Sequence, residues 1–235
     1  NGEYRYYILN DDEINCGGLQ TWLLNTISVS NILAGNRKLK DRIILENIPS
    51  GRKFLSVILD AMRENKVITI LYQSYWKEDS AFFELEPYCI KLFKQRWYLA
   101  ARSLQNSKVM IFALDRIANL DVMDEKTFIY PKNFSAEELF LGCYGVIADC
   151  NVKLETVKLQ VCGNQSKYFR SLPLHDSQKE VFVSEEYSIF EYNIRPTFDF
   201  QQELLSFTPY VEVLSPTWLR NEIAWKVEAM SKRYN

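Results

Sequence analysis

Histidine is nearly missing from this sequence: the 235 residues hold one, His175. That scarcity removes the commonest general base and the commonest metal ligand from most constellations that use them. His175 itself, in Leu172-Pro173-Leu174-His175-Asp176, lies in a turn-rich stretch and reads as a locally hydrogen-bonded side chain. Cys16, Cys89, Cys143, Cys150 and Cys162 are odd in number, far apart and without a Cys-x-x-Cys pair, so their spacing describes neither a disulfide framework nor a zinc site. Free thiols in a reducing compartment are the simpler account. Also absent are the Gly-x-Ser-x-Gly elbow, the His-Glu-x-x-His helix, the Walker A loop and the Gly-x-Gly-x-x-Gly turn. Glu84 and Glu86 share a strand face, but their neighbours suggest a solvated edge rather than an acid/base pair. The expectation is a binding protein, not an enzyme, with no cofactor and no metal. Apolar runs such as Val67 to Tyr72 are too short to span a membrane, and the polar start Asn1-Gly2-Glu3-Tyr4-Arg5 is no signal peptide. A cytoplasmic protein with no membrane partner is expected.

What remains is ordinary globular composition, 47% hydrophobic and 25% charged, long enough for one large or two small domains. The formal net charge of −2 is unevenly spread. Between Pro87 and Leu120 stand Lys91, Lys94, Arg96, Arg102, Lys108 and Arg116 against Asp115 alone, so this segment carries +5 and the remainder −7. A cationic island in an acidic chain points to an anionic ligand rather than to general adhesion to nucleic acid or membrane.

The island is also patterned. If Gln95 to Arg102 is a strand, alternation sends Trp97, Leu99 and Ala101 to one face and Arg96, Tyr98, Ala100 and Arg102 to the other. The first set reads as core. The second, joined by Arg116, combines an aromatic surface able to stack a base with guanidinium forks able to take phosphate oxygens. Asp115 reads as a carboxylate that orients Arg116. The competing reading is a solvated face on which arginines only screen exposed strands. Such exposed arginines add little to stability.

Along the chain, Gly2 to Leu9 reads as a strand and Leu19 to Ala34 as a helix closed by Gly35-Asn36. Pro49-Ser50-Gly51 opens a second helix with Phe54, Leu55, Ile58, Leu59 and Met62 as its stripe. From Lys66 to about Met123 the pattern is five short strands, which favours a small closed or half-open barrel. After a linker at Phe128 to Phe134 and a short helix capped by Ser135, the order becomes β-α-β-β-α-β, as in ferredoxin-like domains. A last helix from Ser215-Pro216 carries Leu219, Ile223, Val227, Met230 and Tyr234 on one face, with Trp218 and Trp225 off it. The segments are 1–65, 66–128 and 129–235, and the fold class is α+β.

Trp97-Tyr98-Leu99 with Arg102 behind it, and Leu114-Asp115-Arg116-Ile117 further on, resemble the WYL domain, a ligand-sensing module of bacterial transcription regulators. The likeness spans roughly Lys66 to Phe128, with Tyr72 and Pro87 in family order. Val211 to Arg220 resembles the C-terminal extension that follows many such domains. The chain departs from the family in having Gln95 where glycine is common and Ala113 where arginine is common. The resemblance implies an Sm-like or SH3-like barrel and adds Tyr72, Ser74 and Tyr88 to Arg96, Tyr98, Arg102 and Arg116 as pocket residues. It also implies a nucleotide-like or single-stranded oligonucleotide ligand that shifts how two subunits present DNA-binding heads. A winged helix-turn-helix usually precedes the sensor, and Gly2 to Leu9 would be its last wing strand. The rest of that head is then expected to be missing, with duplex DNA bound only through it and the chain itself a homodimer. Two rivals are a constitutive dimerisation scaffold without ligand and a Mg²⁺-dependent nuclease or nucleotide hydrolase, which needs a carboxylate cluster where the basic segment holds only Asp115.

Overall fold

A computed structural model describes residues 51–75 and 77–235, so the strand expected over Gly2 to Leu9 and the helix over Leu19 to Ala34 lie outside the described residues. A 3₁₀ turn, Arg52–Phe54, leads into α1, Leu55–Arg63. Phe54, Ile58 and Ala61 are buried there, while Leu59 stays 49% exposed. The spacing of 54, 58 and 61 follows one line down a 3.6-residue helix, and Leu59 lies about 100° round from it.

Five strands follow: β1 Lys66–Tyr72, β2 Ala81–Phe93, β3 Arg96–Ser103, β4 Val109–Ala113 and β5 Ile117–Thr127. They form one sheet in the order β4-β3-β2-β1-β5, antiparallel throughout. The outer strands β4 and β5 share no ladder, yet only the 3₁₀ turn Leu114–Arg116 joins them. Four virtual bonds reach at most about 14 Å, whereas the edges of a flat five-stranded sheet stand about 19 Å apart. The sheet must therefore curl, although it does not close. Tyr72 spans the gap, its hydroxyl accepting the Ala113 N–H at 3.3 Å.

On β3 the expected alternation holds except at one position: Trp97, Leu99 and Ala101 are buried and Arg96, Tyr98 and Arg102 half-buried, but Ala100, on the cationic face, is buried too. Ile68, Ile70, Leu85 and Phe112 join the apolar face, against which α1 packs through β1 and β2. The β2–β3 turn uses Lys94 and Gln95 at φ 45° and 63°, a backbone in which glycine is favoured.

The second sheet comprises β6 Glu155–Cys162, β7 Lys179–Val183, β8 Tyr187–Ile194 and β9 Val211–Ser215, in the order β7-β8-β6-β9. The short helix α2, Ala136–Leu139, precedes this sheet, α3 Gln165–Ser171 and α4 Phe198–Ser206 lie between its strands, and α5 Thr217–Tyr234 follows them. Val157, Leu159, Val161, Phe190 and Tyr192 pack with Phe169, Phe200, Leu204, Leu219 and Ile223 in one core. On α5 the stripe divides, because Leu219 and Ile223 are buried while Val227, Met230 and Tyr234 remain exposed.

The segment 140–147 is held between the two sheets. Lys91 Nζ donates to the Gly145 carbonyl at 2.6 Å and lies over the Phe140 ring. The Asp199 carboxylate accepts the Val146 and Ile147 N–H groups at 3.0 and 3.2 Å. Tyr144 contacts the Phe93 ring on one side and the Phe200 ring on the other, and Lys94 pairs with Glu203. A Cβ on Gly145 would stand 2.5 Å from Asp199 Oδ2 and 2.8 Å from the Phe93 ring. Gly145→Ala is expected to destabilise the protein by about 1–3 kcal/mol, the range for overpacked sites, read as a lower urea midpoint at unchanged slope.

Candidate functional site

The turn Leu114–Arg116 is set by Gly51. With φ +70° and no Cβ to strike the Leu114 Cβ, which would lie at 2.4 Å, Gly51 lets the turn lie directly against it. That places Asp115, its side chain 8% exposed, beneath the end of β3, where Arg96 pairs with it. This bond, with a smaller contribution from the Tyr75 hydroxyl, holds Arg96 above its ordinary pKa. Burial raises the Tyr98 phenol, and the charges of Arg96, Asp115, Arg116 and Tyr72 all reach it. The Arg116 guanidinium lies 3.9 Å from the centre of the Tyr75 ring, and among the described residues no carboxylate pairs with it.

Three buried polar atoms in this group have no hydrogen-bond partner: Arg96 Nε, Arg116 Nε and Asp115 Oδ1. Such atoms cost about 1–3 kcal/mol each when left unmade. The group thus holds two donors and one acceptor whose bonds are unmade.

Arg102 stands six residues along β3, about 20 Å away, in a different setting. Its Nη1 donates to both Glu86 oxygens at 3.2 and 3.1 Å, and its Nη2 to Ser107 Oγ. Glu86, 13% exposed, also accepts the Tyr88 hydroxyl at 2.8 Å. Tyr88 is buried against Phe128 and Phe134, where desolvation first and the Glu86 bond second push its phenol up to about 12. Arg102 is therefore no mere screening residue, since removing it strands a mostly buried carboxylate.

Of the residues singled out in the sequence, Arg96, Tyr98 and Arg116 come together, with Tyr72 beside them. The Tyr72 ring packs edge-on against Phe83 and Phe112. Ser74 lies at the base of the β1–β2 loop, its carbonyl accepting from Gln73 Nε2 and the Lys77 N–H. Arg102 and Tyr88 form a separate pair around Glu86. Half of the cationic island is compensated: Asp115 meets Arg96, Glu86 meets Arg102 and Glu203 meets Lys94. Sequence reasoning missed Tyr75, whose only signal was an aromatic side chain in a polar loop. Elsewhere, His175 is half-buried and bonded through Nδ1 to Ser177 Oγ at 2.8 Å. Among the described residues no three of His, Cys, Asp and Glu gather to hold a metal ion. No helix among them is long and apolar enough to cross a membrane.

A family model for the WYL domain matches residues 53–122, and one for the WCX domain matches residues 153–231. No curated protein matches in sequence. Among solved structures, proteasome accessory factor B/C of Arthrobacter aurescens is similar at 19% identity and TM-score 0.40, over 79% of this chain and 28% of that one. A CRISPR Cas-related protein is similar at 16% identity and TM-score 0.48, over 77% of this chain and 50% of that one. The chain thus spans half or less of the length of either.

The Tyr88 phenol yields a pH prediction. A value raised from near 10 to about 12 favours the neutral form in the folded state, so its contribution is whole below pH 10 and is lost as pH climbs through 12. Tyr88→Phe is expected to flatten part of that alkaline loss when urea stability is measured across the window.

Proposed function

The chain is a WYL-domain protein with a WCX domain behind it, and on that premise we propose that it is the ligand-sensing and dimerising part of a bacterial transcription regulator. In this reading the curled sheet is an Sm- or SH3-like barrel and the second sheet a ferredoxin-like domain, whose succession and strand order it follows. The ligand is nucleotide-like or a single-stranded oligonucleotide, engaged at the Arg96, Tyr98 and Arg116 end of the barrel. The observation that carries this is the trio of buried, unpartnered polar atoms on Arg96, Arg116 and Asp115. Acceptor oxygens on a ligand suit the two guanidinium donors, and a base N–H suits the carboxylate.

Binding rather than catalysis is supported by the chemistry of the group. Asp115 is engaged by Arg96, and among the described residues neither a second carboxylate nor a histidine joins it to serve a metal or a proton transfer. A sensor acts only if its ligand prefers one arrangement of the protein over another. Here the means is close by: Arg96 and Tyr98 stand opposite Phe93 and Lys91 across the β2–β3 ladder, and these two meet Tyr144 and the Gly145 carbonyl. Duplex DNA would be reached through a separate head domain. The exposed half of the α5 stripe supports a homodimer, since two-fold closure is the commonest way to cover such a surface. Uncoupled thiols suit the cytoplasm.

The second reading, a dimerisation scaffold without ligand, is favoured by the pairing of Arg96 and Arg102 with carboxylates. Titration with a fluorescein-labelled single strand at low and high salt separates the two. With two phosphates held, log Kobs should fall against log salt with a slope of about −1.4. Arg116→Ala should abolish binding while leaving the urea midpoint unchanged. No binding to the wild-type protein at low salt would favour the scaffold, and a salt-independent affinity would remove the phosphate contacts.

A further inference from the structure

Tyr75 is out of place for its chemistry. The residue is 70% exposed, on the β1–β2 loop, yet its ring covers the guanidinium of Arg116 at 3.9 Å, and its hydroxyl is near enough to Arg96 to help keep that guanidinium's pKa up. A flat ring on one arginine and an oxygen near the other are what an aromatic ligand carrying an acceptor group would place there. The imitation is incomplete. A ring face gives Arg116 Nε no acceptor, and both Nε atoms stay buried without partners. The loop is anchored at its base rather than at Tyr75: Gln73 donates its backbone N–H to the Arg116 carbonyl at 3.0 Å, and its side chain bonds to the Ser74, Lys77 and Glu78 carbonyls and to Ser80. Moving Tyr75 therefore gives up little burial.

We propose that Tyr75 occupies the position in which the ligand's ring stacks on Arg116, and that binding requires this ring to leave. The inference rests on the reading of the Arg96–Arg116 group as the ligand site and names the ligand's form: a planar aromatic system bearing acceptor oxygens, such as a nucleobase joined to phosphate. An occupant belonging to the chain lowers apparent affinity by the fraction of molecules in which the site is open. Its removal raises affinity by the strength of the contact it made, about fivefold for an exposed cation–π pair.

The test compares wild type, Tyr75→Ala and Tyr75→Phe for binding of a fluorescein-labelled single-stranded oligodeoxynucleotide by anisotropy, with phenyl phosphate, a ring bearing acceptor oxygens, as a second probe by calorimetry. Tyr75→Ala should bind the strand about fivefold more tightly. Tyr75→Phe, which keeps the ring over Arg116, should stay within twofold of wild type. Equal or weaker binding by Tyr75→Ala would overturn the proposal, because the ring would then be part of the surface the ligand uses. If no form binds the strand, the nucleic-acid reading fails and phenyl phosphate decides the role of Tyr75 alone. Tighter phenyl phosphate binding by Tyr75→Ala sustains it, while unchanged or absent binding ends it.

Discussion

The Asp199 carboxylate is the point on which the relation between the two sheets depends. One oxygen accepts the Val146 and Ile147 N–H groups, and the other accepts the Thr197 hydroxyl and the Phe200 N–H. It lies in the first turn of α4, where the helix dipole favours negative charge. This one group, from the second domain, fixes the path of the segment that runs back across the first. With that path fixed, the Gly145 carbonyl faces Lys91, and Tyr144 fits between Phe93 and Phe200. The absence of a side chain at Gly145 is a consequence of how closely the carboxylate and the Phe93 ring converge.

What was legible in the sequence was what a single strand or helix encodes in its own period. Trp97, Leu99 and Ala101 alternate with Arg96, Tyr98 and Arg102, and the structure buries the first three and leaves the second three half-buried. The helical stripe led by Phe54 was legible except at Leu59, where Ala61 sits on the buried line. The charge balance was not legible. Counting along the chain from Pro87 left out Glu86, one residue earlier, which takes Arg102, and Glu203, 109 residues from Lys94, which takes that lysine. Pairing of charges is decided by register and by contacts between domains, and neither shows in a linear count. Tyr75 was missed for a related reason: the strand pattern reads on to Tyr75, but β1 stops at Tyr72, and beyond a strand's end alternation no longer marks which residue faces a partner.

The site itself is an exception to the rule that buried polar groups are satisfied. Elsewhere among the described residues of the first domain the polar side chains near the core are spoken for. Glu86 serves Arg102 and Tyr88, Gln73 ties its loop, and Tyr72 takes a backbone N–H across the gap in the sheet. The unmade bonds gather on Arg96, Asp115 and Arg116, where the backbone of Gly51 and the turn Leu114–Arg116 hold the groups in place.

The left-handed turn at Lys94 and Gln95 has a mechanical meaning. Two residues leave no slack, so Phe93 and Arg96, paired across the ladder on either side of it, cannot slide past one another. Arg96 reaches Asp115 and Phe93 reaches Tyr144, which makes the tip of this hairpin a rigid rod with one end in each part of the molecule. A force on the guanidinium is felt at the Tyr144 ring as tilt, through a handful of covalent bonds, before any core residue has to repack.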